Sequence, residues 1–326
     1  MRKNYNMYDF TYYNPEVYNS KTNKIKNILI IIIIILTLVA LIVYQIFFRK
    51  DKKMTPVSSV ITQEIEEQKQ LQEEEKAERE RLEKERLEQE RLKKEEEKRL
   101  AREAKLPKLT EVGIQNLDNI YNSEEKRVFL TFDDGPSPVT NQILDTLRAN
   151  NIKATFFVLG TSVQNFPETT KKIYDEGHFI ANHGYSHVYS SIYSSKEAVL
   201  DEYNRCNDVI KQALGEPEYN SHLFRFPGGL PGGKYENLKQ EAKQLLNENG
   251  IVNIDWNALS GDAEKQNATP EYLMGRIKET SEGKNSIVVL MHDAAAKKTT
   301  ADTLQEIINY YKEQGYAFKS FYDIIK

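Results

Sequence analysis

Lys126-Arg127-Val128-Phe129-Leu130-Thr131-Phe132-Asp133-Asp134-Gly135-Pro136-Ser137-Pro138 is the stretch from which the rest of the chain can be read. Its first half is β-branched and aromatic, has the length of one buried strand, and is halted by Gly135 and Pro136. Two adjacent carboxylates are therefore thrown out where a strand becomes a loop. Burying both without partners is costly, so a cation, a metal ion or a shared proton is expected beside them. Asp-Asp-Gly-Pro is also a serviceable turn and helix start on its own, so the decision rests on what lies downstream.

Downstream the chain alternates. Apolar runs at 128–132, 154–160, 179–182, 223–226, 251–255 and 286–291 read as strands, and amphipathic stretches at 140–150, 167–176, 195–215, 235–249, 270–280 and 300–314 read as helices. Repeated strand-then-helix units imply an α/β fold of parallel strands covered by helices, either a barrel or a doubly wound sheet. In both, the loops after the strands gather at one mouth. Asp133 and Asp134 follow one strand, His183 another, Arg225 and Gly228 another, Asp255 and Trp256 another, and His292 the last.

His183 and His187 form an H-x-x-x-H pair, which on a helical turn lays two imidazoles on one face. Together with one strand-end Asp they offer three ligands to a divalent ion and leave a fourth position open, as catalytic zinc sites require. Such an ion would bring the pKa of its water toward about 7. The other Asp is then free to act as general base, and Arg225, always charged and able to bind a carboxylate, is the group that would keep it ionised. His178 reads as a structural histidine at a strand entry, and His222 takes no role.

Ahead of this region the composition changes twice. Residues 1–24 are polar, rich in Tyr and Asn, and read as a short cytoplasmic tail without structure. Residues 25–48 are almost wholly apolar and long enough to cross a bilayer, with no small-residue cleavage site after them, so they read as an uncleaved transmembrane anchor. Lysines and arginines flank both sides, so charge alone does not orient it.

Residues 49–106 form a charged spacer, rich in Glu, Lys, Arg and Gln over 62–105, and helix is expected there. Leu82, Leu87 and Leu92 recur at five residues rather than at heptad spacing, so a solvated single helix is preferred to a coiled coil. At 1.5 Å per residue it would reach about 65 Å. Residues 107–326 hold the remaining domain.

The net charge of -4, with bases and acids interleaved, argues against a nucleic-acid partner. Cys206 is the only cysteine, so no intramolecular disulfide is possible, and it reads as a small buried hydrophobe.

Five ordered motifs carry a resemblance: Thr131-Phe132-Asp133-Asp134-Gly135-Pro136, Asn182-His183-Gly184-Tyr185-Ser186-His187, Arg225-Phe226-Pro227-Gly228-Gly229, Asp255-Trp256-Asn257 and Val289-Leu290-Met291-His292. From about residue 126 to 323 the chain resembles the polysaccharide deacetylases, the NodB-homology domain of carbohydrate esterase family 4. The resemblance implies a distorted (β/α) barrel and removal of acetyl groups from N-acetylated sugars. It implies Asp133 as base held by Arg225, Asp134 with His183 and His187 around one divalent ion (zinc, with cobalt or nickel as alternatives), and His292 as acid.

It also implies Trp256 and Leu290 as walls for the acetyl methyl, and the backbone N–H of Gly228 as oxyanion donor where the family carries an aromatic residue. Either Asp255 or Asp262 could pair with His292, and Asp255 is the expected partner. The expected substrate is peptidoglycan N-acetylglucosamine, acted on outside the cell by a membrane-anchored enzyme. The rivals are poly-N-acetylglucosamine, a muramic acid residue, chitin or O-acetyl xylan, and, from another class, a non-catalytic wall-associated scaffold. Oligomeric state is left open.

Overall fold

The computed structural model describes residues 15–48 and 57–325, in two units that meet in sequence between Glu90 and Arg91. Residues 1–14 of the expected tail, and the basic cluster Arg49, Lys50, Lys52 and Lys53, lie outside the described residues.

In the N-terminal unit one helix runs from Pro15 to Phe48, so residues 15–24, expected without structure, are helical. A helix already nucleated in the apolar run extends at low cost into flanking residues, and Pro is tolerated in its first turn. Most of its large apolar side chains are exposed along the span 26–47, with Ile34 and Leu38 half-buried.

A second helix, Val57–Glu103, is lined by Arg–Glu pairs three and four residues apart, such as Arg86 with Glu83 and Arg99 with Glu96 and Glu103. Leu82, Leu87 and Leu92 stay more than half exposed along it, since a spacing of five walks them round the helix. The last turns of this helix belong to the second unit, where Arg102 pairs with Glu216.

The second unit holds a single sheet of parallel strands: β1 Arg127–Asp133, β2 Thr155–Val158, β3 Phe179–Asn182, β4 Leu223–Phe224, β5 Val252–Asn253, β6 Ala258–Leu259, β7 Ser286–His292 and β8 Ala317–Lys319. The order is β5-β4-β3-β2-β1-β7-β6, with β8 taking the first half of β1 and β2 its second half. Among the described residues β5 and β6 do not pair, so the barrel is open between them. The expected barrel is thus a half-barrel of parallel strands.

Strand periodicity decides which way the functional residues point. In β1, Val128, Leu130 and Phe132 pack outward against the helices through Ile143, Leu147, Ile173 and Leu304. Phe129 points the other way, into a plug with Phe157, Phe179, Val288 and Phe321, where its ring stacks on Phe321 at 5.5 Å. Each such buried aromatic contributes about 1.5–3 kcal/mol of burial. Successive side chains alternate, so Thr131 and Asp133 share the inner face with Phe129.

β7 pairs with β1 along its full length and repeats the pattern, which sets Leu290 opposite Thr131 and His292 opposite Asp133. The barrel floor is apolar and its mouth polar.

Six elements escaped the sequence reading, among them the single turns Tyr189–Ile192 and Phe321–Asp323. β6 and β8 have two and three residues, too short for a period to register. Helix Glu111–Asp118, capped by the Thr110 side chain, packs Leu117 under the floor, and Gly160–Asn165 turns at the end of β2.

Candidate active site

Asp133 ends β1 inside the barrel and is 2% exposed. Its Oδ1 accepts a 2.7 Å bond from Nη1 of Arg225, the residue following β4. Each nitrogen of that guanidinium is engaged: Nη1 also donates to Thr131 Oγ1, Nε to the Ile254 carbonyl and Nη2 to the Asp255 carbonyl, while the cation lies 3.9 Å over the Phe157 ring. Burial pushes the Asp133 carboxyl above its ordinary range, and Arg225 and His292 pull it back. A fully buried arginine on such terms is a fixed counter-charge.

Asp134 turns out of the strand in the left-handed conformation, φ 75°, which Asp tolerates better than most residues. Its Oδ1 lies 3.6 Å from His183 Nε2 and 3.5 Å from His187 Nε2, and it is buried with no hydrogen-bond partner among the described residues. His183 Nδ1 bonds the Arg225 carbonyl at 2.8 Å; that oxygen can only accept, so Nδ1 carries the proton and Nε2 presents a lone pair. Burial lowers the His183 pKa to about 3, with Asp134 opposing, so the ring stays neutral.

The three donor atoms lie within 4.8 Å of one another. An orphaned carboxylate oxygen facing two imidazole nitrogens is the donor set a divalent ion fits.

The histidine pair does not sit on a helix as its spacing suggests. Residues 183–188 form a loop in which Gly184 and His187 both have positive φ, 88° and 58°. Side chains hold that shape. Asn182 Oδ1 accepts from the Gly184 N–H, and the carboxylate of buried Glu202 accepts from the Tyr185 and Ser186 N–H groups and the Ser186 hydroxyl. Glu202 was not singled out in the sequence; its one signal is an acid on the apolar side of a helix.

His292 ends β7. Its Nδ1 bonds Asp262 Oδ1 at 2.7 Å, while Asp262 Oδ2 accepts from the His292 N–H and the Thr300 hydroxyl. Burial disfavours charging the ring, but the Asp262 carboxylate overrides it and the pKa rises to about 9. The expected pairing with Asp255 is therefore corrected. β6 lies between Asp255 and Asp262, so the chain crosses to the β7 edge and delivers Asp262 to His292. Asp255 stays near β5, where its carboxylate takes the Leu230 N–H at 3.3 Å.

The chain matches the family model described as polysaccharide deacetylase over residues 121–250. A peptidoglycan-N-acetylglucosamine deacetylase of Bacillus cereus is 30% identical over 208 residues, covering 62% of this chain and 72% of that protein. The chain belongs to the polysaccharide deacetylase family.

The Listeria monocytogenes peptidoglycan-N-acetylglucosamine deacetylase PgdA is 36% identical over 197 residues, covering 59% of this chain and 37% of that protein. The structure of a Streptococcus mutans CE4 esterase superposes with a TM-score of 0.59 at 31% identity, covering 65% of this chain and 92% of that one.

In this deacetylase Trp256 packs near the Arg225 cation, and its indole stands 2.9 Å from where a Cβ on Gly229 would be. Leu290 lies two residues before His292, on the same inner face. Gly228 is exposed with φ 77°, and no described residue accepts its N–H.

Asp293 was also missed in the sequence. It is buried behind the acidic turn, where its N–H donates to the Asp133 carbonyl, its own carbonyl takes the Ser137 hydroxyl, and its Oδ2 takes the Thr140 hydroxyl. Its signal was only its place directly after His292. His178 is a core residue as expected, 1% exposed, its Nδ1 accepting from the Ala154 N–H. Cys206 is buried.

Proposed function

We propose that this polysaccharide deacetylase removes N-acetyl groups from a cell-wall aminosugar polymer, peptidoglycan N-acetylglucosamine foremost, with Asp133 as base and His292 as acid. The observation that carries the reading is the placing of Asp133 Oδ2 3.8 Å from His183 Nε2, the nitrogen that also faces Asp134. A base thus borders the ion site while Arg225 occupies its other oxygen. Asp134, His183 and His187 would hold one divalent ion, zinc with cobalt or nickel as alternatives, which supplies Lewis acidity toward the acetamide carbonyl and acidifies water.

The protein's own groups account for the proton traffic. Asp133 Oδ2 takes a proton from the attacking water as the new C–O bond forms. The Gly228 N–H would donate to the carbonyl oxygen that gains charge. His292 Nε2, left free because Asp262 holds Nδ1, gives its proton to the amide nitrogen as the C–N bond breaks, releasing acetate and a free amine. Trp256 and Leu290 would flank the methyl group. Asp262, rather than Asp255, keeps His292 charged.

The segment 26–47 has the length and composition of a single membrane span, and we read it as the anchor. Residues 1–24 would then be cytoplasmic, residues 49–106 a spacer, and residues 107–326 the catalytic domain outside the membrane. Purified full-length protein loaded with zinc should release acetate from peptidoglycan. Release from another acetylated glycan alone would overturn the substrate, and inactivity on every acetylated glycan would favour the scaffold.

The acid role carries a pH signature. His292 donates only while protonated, so the rate should fall as pH rises through its pKa of about 9. Asp262→Asn removes the carboxylate that raises that pKa, so the alkaline limb should move to lower pH, toward the ordinary histidine value of about 6.5. A limb that stays in place in a pH–rate profile of this variant would remove His292 from the acid role.

A further inference from the structure

Tyr189 enters the site from the first position of the short helix Tyr189–Ile192, directly after the histidine loop. A Cβ added at Gly228 would lie 2.5 Å from the Tyr189 hydroxyl oxygen, so the phenol occupies the space that any side chain at 228 would need. Its ring centroid is 5.5 Å from that of His187, and it packs edge-on against Tyr193, whose hydroxyl is bonded to the Pro227 carbonyl. Tyr189 thus bridges the ion-facing loop and the Gly228 turn, the two sides between which an acetamide must sit. Its hydroxyl has no hydrogen-bond partner among the described residues, and the side chain is 41% exposed.

We propose that Tyr189 is a specificity-determining residue of this deacetylase: its ring borders the acetylated sugar and its free hydroxyl hydrogen-bonds a hydroxyl of that sugar. The proposal rests on the N-deacetylase reading above. A flat ring with one polar end suits a pyranose, which offers an apolar face and a polar rim. Gly228 is the other half of the arrangement. Without a Cβ it leaves room for the phenol, so the aromatic surface at this wall comes from residue 189 rather than from residue 228.

The test is steady-state kinetics of the full-length, zinc-loaded protein on an N-acetylglucosamine pentamer and on 4-nitrophenyl acetate, a small acetyl ester without a sugar. Tyr189→Phe should raise KM for the pentamer about threefold by losing one hydrogen bond, and Tyr189→Ala about tenfold by losing the ring as well. The kcat should fall less than KM rises, and the small ester should be affected less than the pentamer.

Gly228→Ala should raise the pentamer KM more in the wild type than in the Tyr189→Ala background, because only in the wild type is there a phenol to displace. Its backbone strain is common to both. Thermal melts of each variant exclude misfolding. An unchanged pentamer KM in both Tyr189 variants overturns the proposal, and so does a fall in kcat alone, which would make Tyr189 a prop for His187. In those cases a wild type active on the pentamer leaves the enzymatic reading intact. A wild type inactive on every N-acetylated glycan ends both.

Discussion

Asp133→Asn is expected to lower kcat for acetate release by about a thousandfold, within the range that a positioned general base contributes. The amide nearly matches the carboxylate in shape and its oxygen can still accept from Arg225, so the mouth should keep its form. What it cannot do is take a proton. Arg225 is wholly buried and loses its counter-charge in this variant, so the melting temperature should fall as well.

Asp133 is not one of the three residues grouped around the ion site. Metal content by elemental analysis should therefore match the wild type. A variant that loses its metal together with its rate would make Asp133 a ligand rather than a base. One that keeps its rate would place the base elsewhere.

His183→Ala should abolish both metal retention and turnover. Its Nδ1 is tied to the Arg225 carbonyl, so its Nε2 is already aimed at Asp134 Oδ1, and binding an ion requires little further ordering of this ring. Two measurements check this without reference to rate. Elemental analysis should find the wild type metal-loaded and the variant empty. Added zinc should raise the melting temperature of chelator-treated wild type, because a ligand bound only by the folded state stabilises it by mass action, and should leave the variant unmoved. Retention of the ion by the variant, with an unchanged zinc shift, would remove His183 from the ligand set.

Much of the fold was legible because it is written in local chemistry. The alternation of apolar runs with amphipathic stretches gave parallel strands under helices, and β3, Phe179–Asn182, falls where its apolar run does. The strand-end residues were legible too, since parallel strands send every following loop to one mouth. Failures came where chain direction, not composition, decides. The H-x-x-x-H spacing suggests a helix, yet Gly184 and the bonds from Asn182 and Glu202 bend those residues into a loop that brings both imidazoles to one carboxylate by another route.

By itself the sequence determined the α/β class, the apolar segment, the charged helix and the identity of the acids, histidines and arginine that could do chemistry, because strand and helix periods, span length and side-chain type are properties of short stretches. Three matters were left to the tertiary structure: that Asp262 and not Asp255 backs His292, that Glu202 and Asp293 hold the loops carrying the site, and that Tyr189 fills the space above Gly228. Each depends on which groups meet across tens to hundreds of residues. The two-residue β6, too short to be read in advance, sets which acid reaches His292, and a glycine's missing Cβ matters only once another segment lies against it.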